Sequence, residues 1–61
     1  MIKVTRLNDS VLFVNPDRIE FAEETPDTVI SLESGRKLVV KEPVEELIAE
    51  IVSFRRRYHL Q

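Results

Sequence analysis

Four polar breaks cut the first 42 residues of this chain into pieces too short to be helices. They are Asn8-Asp9-Ser10, Asn15-Pro16-Asp17, Thr25-Pro26-Asp27 and Glu33-Ser34-Gly35-Arg36. Short polar side chains mimic backbone turns and tolerate left-handed φ, and proline removes a donor and fixes its own φ. The only glycine, Gly35, stands in the last break, where a positive φ is needed. What lies between the breaks is rich in Val, Ile, Leu and Phe, so each piece reads as a strand.

Ile2 to Leu7 alternates, with Ile2 and Val4 on one face and Lys3, Thr5 and Leu7 on the other. Val11 to Val14 is wholly apolar and reads as a second strand buried on both faces, forming a hairpin with the first. One tight turn, with 3₁₀ character open to it, is expected at Asn15-Pro16-Asp17. Ile19 to Glu24 follows, with Ile19 and Phe21 inward, Glu20 outward and Ala22 neutral. Pro26 suits the second position of a β-turn and Asp27 can close an Asx-type bond. Thr28 to Leu32 and Lys37 to Lys41 complete five strands.

Pro43 to Tyr58 has a different period. Val44, Leu47, Ile48, Ile51, Phe54, Arg55 and Tyr58 recur at spacings of three and four, which places them along one helical face. Val52 widens that stripe, while Glu45, Glu46, Glu50, Ser53 and Arg56 face away. Pro43 suits the first helical position. Glu45 and Glu46 near the start and Arg55, Arg56 and Arg57 near the end complement the helix dipole. No Ser, Thr, Asp or Asn precedes Pro43, which leaves Glu42 as the candidate N-cap. Burying the helix's aliphatics contributes ~8–15 kcal/mol by area, against roughly 20 kcal/mol for ordering it. It must pack on the strands, on a second copy, or on both. His59, Leu60 and Gln61 are expected to fray.

The expected architecture is therefore one α+β domain over residues 1–61, a small antiparallel five-stranded β-meander followed by one C-terminal amphipathic helix packed on one face. A chain of 61 residues buries a marginal core and leans on an outside aid. With no cysteine and one histidine, disulfides and a thiolate or His-built metal site are excluded. Oligomerisation is the aid that remains. A net charge of −2 argues against nucleic-acid binding by the whole surface. There is no signal-peptide core and no apolar run of membrane-spanning length, so the cytoplasm is the default compartment.

The residues now in view resemble a known family. MIKVTRLN, then NPDRIE, then EETPDTVISLESGRKLVVKEPVEELI are similar to the small flagellar FlbD family of SwrD-like swarming motility proteins. The match lies on Val4 to Asn8, Asn15 to Glu20, Glu24 to Ile30, Gly35 to Lys37, Val39 to Glu42 and Val44 to Glu46. It is specific in combination. Two positions depart from the family's pattern: Asp9 stands where glycine is frequent, and Pro43 where serine is. The resemblance implies a soluble, non-enzymatic protein that supports swarming by raising flagellar motor torque, on or near the stator. It therefore implies motor or stator-associated protein partners and a place near the inner face of the membrane. It implies no catalytic residue, cofactor or metal.

Two stretches are candidate interaction sites. Arg55, Arg56, Arg57 and the adjoining Tyr58 form either a solvated helix end or a patch for acidic protein, lipid headgroups or nucleic acid. Three arginines add only ~1 kcal/mol each near an anionic membrane, too little for stable anchoring but enough for peripheral contact. The loop around Thr25, Pro26 and Asp27, behind Glu23 and Glu24, is either plain turn chemistry or an acidic recognition loop for a basic partner. Glu45, Glu46 and Glu50 lie on the solvated helix face, without the burial that acid–base chemistry requires. An RNA- or DNA-binding regulator of flagellar genes is the competing reading. It needs basic residues along one face, whereas Lys3, Arg6, Arg18, Arg36, Lys37 and Lys41 are scattered in sequence and answered by eleven acids.

Overall fold

The computed structural model describes the backbone of residues 1–59 and the side chains of residues 1–57. The elements are β1 (Ile2–Thr5), β2 (Val11–Val14), a 3₁₀ turn (Pro16–Arg18), β3 (Ile19–Glu24), β4 (Thr28–Leu32), β5 (Lys37–Val40) and α1 (Val44–His59). All five strands, the turn and the helix are present in the expected stretches, with some ends shifted by one or two residues. The class is α+β.

The strands do not form one meander. They form two antiparallel sheets, β1-β2 and β3-β4-β5. After β2, Asn15 accepts a hydrogen bond from the Asp17 N–H on its side chain (3.0 Å) and one from the Arg18 N–H on its carbonyl (3.0 Å). That bonding, with Pro16 buried and lacking a donor, carries the chain away from β2. Strand β3 therefore pairs only with β4. The two sheets meet instead at β1 and β5: Arg6 makes one antiparallel bridge to Val40, and the Lys41 N–H donates to the Thr5 carbonyl at 2.8 Å. This is why β1 stops at Thr5, two residues earlier than its alternation suggests. The Arg6 N–H turns to the Ser10 carbonyl (2.8 Å) and closes the loop.

The fully buried apolar side chains are Ile2, Val4, Val14, Ile30, Leu38, Val40 and Leu47. All but Leu47 come from strands, so the core lies mainly between the two sheets. The helix touches β1 and β3 and closes the gap between them. Among the described residues Leu47 is its one buried side chain, with Ile51 and Phe54 half-buried beside it. Ile48 and Val52, expected in the buried stripe, are 55% and 45% exposed. The stripe that actually packs is narrower because the helix rests on one strand of each sheet, β1 and β3, not on a broad sheet face.

Two strands face differently from the sequence expectation. Strand β2 is not buried on both sides: Val11 and Phe13 are 50% and 60% exposed, because nothing covers the outer side of the two-stranded sheet. In β3 a bulge intervenes. Ile19 pairs with Leu32 and Phe21 with Ser31, so Glu20 is an extra residue. The alternation slips by one. Ile19 and Ala22 pack on the core, and Phe21 turns outward.

The helix start also differs. Pro43 precedes the helix, its carbonyl accepting from the N–H groups of Glu46 (3.0 Å) and Leu47 (3.2 Å). The Val44 N–H, an orphan donor of the first turn, donates to Glu24 Oε1 at 2.9 Å. A carboxylate from the end of β3, twenty positions upstream, thus does the capping expected of Glu42. Glu42 is engaged elsewhere. Its Oε1 accepts from the Thr5 N–H (2.9 Å) and its Oε2 from the Thr5 hydroxyl (2.8 Å). Burial raises the Glu42 pKa, but the two Thr5 bonds, its own N–H and the Lys3 charge outweigh it, holding the carboxyl below its ordinary range.

Two outcomes follow for stability. A folded pKa below the unfolded one means that the Glu42 contribution is present above the ordinary carboxylate range and is lost as pH falls through the folded value. Glu42→Gln should cost about 1–2 kcal/mol at pH 7, and the gap to wild type should shrink in urea titrations run below about pH 4. Glu24→Ala should cost about 1 kcal/mol, lowering Tm by roughly 4–8 °C, with circular dichroism reporting loss of helix first.

Candidate interaction surfaces

The two stretches singled out in the sequence lie at opposite ends of α1. Thr25, Pro26 and Asp27 are exposed and directly follow Glu24, which caps the helix start. Arg55 is eleven positions along the helix from Val44, roughly 16 Å at 1.5 Å per residue. The structure does not bring these groups into one site.

The turn is closed by the Thr25 N–H donating to the Asp27 carbonyl at 3.2 Å, around a cis Thr25–Pro26 bond. The backbone of Asp27, not its carboxylate, makes this contact. Arg55 is within 3.9 Å of Asp17 in the 3₁₀ turn, with both side chains more than half exposed. At that exposure the pair is worth ~0–1 kcal/mol, so it orients the arginine without removing it from solvent. Arg56 and Arg57 are exposed. The Tyr58 side chain lies outside the described residues.

The departures from the family pattern have local explanations. Asp9 has φ +73°, a left-handed conformation that glycine adopts freely and Asp tolerates. Its N–H donates to the Arg6 carbonyl at 2.9 Å, and its carboxylate pairs with Lys41, the residue that follows β5. Asn8 accepts from both the N–H and the hydroxyl of Ser10 (3.0 and 2.7 Å), completing the polar turn. At Pro43 the missing serine is replaced by the Glu24 carboxylate.

A third region was not visible from sequence spacing. At the end of the molecule that holds the 3₁₀ turn and the β4–β5 turn, three open hollows share Arg36. One, of about 480 Å³, lies among Arg18, Leu32, Glu33 and Ser34. A second, of about 530 Å³, lies among Arg6, Leu7, Lys37 and Val39. The third, of about 170 Å³, runs along Leu12 and Phe13 of β2 towards Leu32 and Leu38. Four basic residues scattered over thirty-two positions of sequence therefore stand together. The link is the backbone bond from the Glu33 N–H to the Arg18 carbonyl (2.9 Å), which ties the 3₁₀ turn to the end of β4.

Among the described residues, no helix is long and apolar enough to cross a membrane, and no group of three or more His, Cys, Asp or Glu is placed to share a metal ion. The Glu42 carboxyl is held below its ordinary range by bonds to Thr5 that serve the fold.

The chain was also compared with known proteins. Neither the comparison with curated proteins nor that with solved structures gives a match. A family model described as flagellar and swarming motility proteins matches residues 1–59, nearly the whole chain. The chain belongs to the FlbD family of flagellar and swarming motility proteins.

Proposed function

We propose that this protein is a non-enzymatic accessory of the flagellar motor, which raises torque by binding a motor or stator-associated protein on the cytoplasmic side of the membrane. The observation that carries the reading is the family match over residues 1–59. The surface supports a binding role: Phe13, Phe21 and Leu7 are each at least half exposed, on a chain small enough to need most of its apolar residues inside. The arginines at the end of α1 add peripheral contact with acidic lipid or protein.

The competing reading, an RNA- or DNA-binding regulator of flagellar genes, gains one observation. Arg6, Arg18, Arg36 and Lys37 gather around the three hollows. The floor there weighs against it. Leucines and valines line it, with Phe13 as its one aromatic, whereas single-stranded nucleic acid is held on stacking platforms.

Self-association is part of the proposal. The exposed shoulder of α1, Ile48 and Val52, is the apolar surface a second copy would cover. Light scattering at micromolar concentration should give a mass near twice 7.1 kDa; a stable monomer removes this part. Deletion of the gene should leave filament number normal while lowering torque in viscous medium and abolishing swarming. Missing filaments with altered flagellar transcripts would turn the assignment to the regulator.

A further inference from the structure

We infer that the basic, apolar-floored end of the molecule around Arg36 docks an extended acidic protein segment whose carboxylates alternate with aliphatic side chains. This rests on the reading of the chain as a binding module and names the chemistry of what it binds.

Charge is the first argument. The protein as a whole is acidic, with eleven Asp and Glu against nine Lys and Arg. Around the three hollows the balance reverses. Arg6, Arg18, Arg36 and Lys37 line them, and Glu33 is the one acid among the lining residues. The other ten acids share the rest of the surface with five basic residues. Glu33 pairs with Arg18 at 3.7 Å, an exposed contact that answers one of the four cations and leaves the other three. Among the described residues, Arg6, Arg36 and Lys37 make no ion pair. Three guanidiniums at a rim are suited to forked bonding with carboxylates.

The floor is the second argument. Leu12, Phe13, Leu32 and Leu38 line the third hollow, with Phe13 60% exposed. Such a floor gives a purely polar polyanion nothing to bury. An extended segment directs alternate side chains to opposite faces. It can therefore lay aliphatic groups on the floor while its carboxylates meet the rim.

The third argument is backbone. The smallest hollow runs beside β2, and β2 pairs with β1 alone. Its other edge has unpaired main-chain groups of the kind an added strand uses. The hollow thus offers ladder bonding, apolar pockets and cationic rim groups along one line.

The test is a titration of the full ¹⁵N-labelled chain at 150 mM salt, followed by amide chemical shifts. The probe is an acetylated, amidated ten-residue peptide of repeating Glu-Leu-Asp-Val. Saturable shifts are expected across Leu12–Asn15, Arg18 and Leu32–Leu38. Arg36→Glu should weaken binding at least ten-fold, and Phe13→Ser at least five-fold; both side chains are exposed, so the folded spectrum should persist. A peptide with Ser in place of Leu and Val should bind at least ten-fold more weakly. The proposal is overturned if that polar peptide binds equally well or if Arg36→Glu changes nothing. Shifts centred on α1, or tighter binding of a ten-nucleotide oligouridine, would also overturn it. Normal swarming in the deletion strain would sink the motor reading and leave the titration result standing, so the two failures are distinguishable.

Discussion

Thr5 carries three hydrogen bonds that hold this fold in one piece. Its carbonyl accepts from the Lys41 N–H, and its own N–H and hydroxyl both donate to Glu42. Each sheet alone is a small, twisted ribbon with one apolar face and little stability of its own. Facing them across a core fed by Ile2, Val4, Ile30 and Val40 requires that β1 stay fixed against the end of β5. The residues that do this sit at the last point before the helix begins. The same few atoms therefore fix the sheet-to-sheet joint and the place from which α1 sets out.

The local structure of this chain was legible because its breaks are chemically explicit. Asn8 to Ser10, Asn15 to Asp17 and Ser34-Gly35 make the turns their side chains and φ preferences call for. Strand and helix positions followed from what was left between them. The neighbour pairings β1-β2, β3-β4 and β4-β5 were legible too, but the break between β2 and β3 was not. Tight turns favour neighbouring strands as partners, but Pro16 and the bonds to Asn15 turn the chain out of the sheet, and nothing local to β5 says that it returns beside β1. The bulge at Glu20 was hidden for a related reason: Ile19 and Phe21 satisfy a two-residue period in sequence, and only the register with Leu32 and Ser31 breaks it. Long-range carboxylate contacts were equally silent. Glu24 and Glu42 look interchangeable in composition, yet one caps the helix and the other ties it to Thr5.

The same separation between sequence and space governs the surface. The arginine run at the end of α1 is conspicuous because its members are consecutive, but one of them is already oriented by Asp17. The basic residues around the three hollows come from three separated stretches, Arg6, Arg18 and Arg36-Lys37, drawn together by the Arg18–Glu33 backbone contact and the β4–β5 turn. A run of like charges is easily noticed, while a patch assembled from three segments becomes visible only when the strands are paired. For a member of a motility family, that difference decides which surface is worth examining.

The open ends of the two sheets are not alike. Strand β3, exposed along one side, is lined with Glu20, Glu23 and Glu24, so two such edges brought together would repel. Strand β2, with the sequence Val-Leu-Phe-Val, has no charge of its own. Growth by strand addition needs a sticky edge at both ends of every unit, and here one end is blunted. A strand added at β2 would therefore find no matching edge at β3 from which to repeat the addition, which would favour complexes of fixed stoichiometry over fibres.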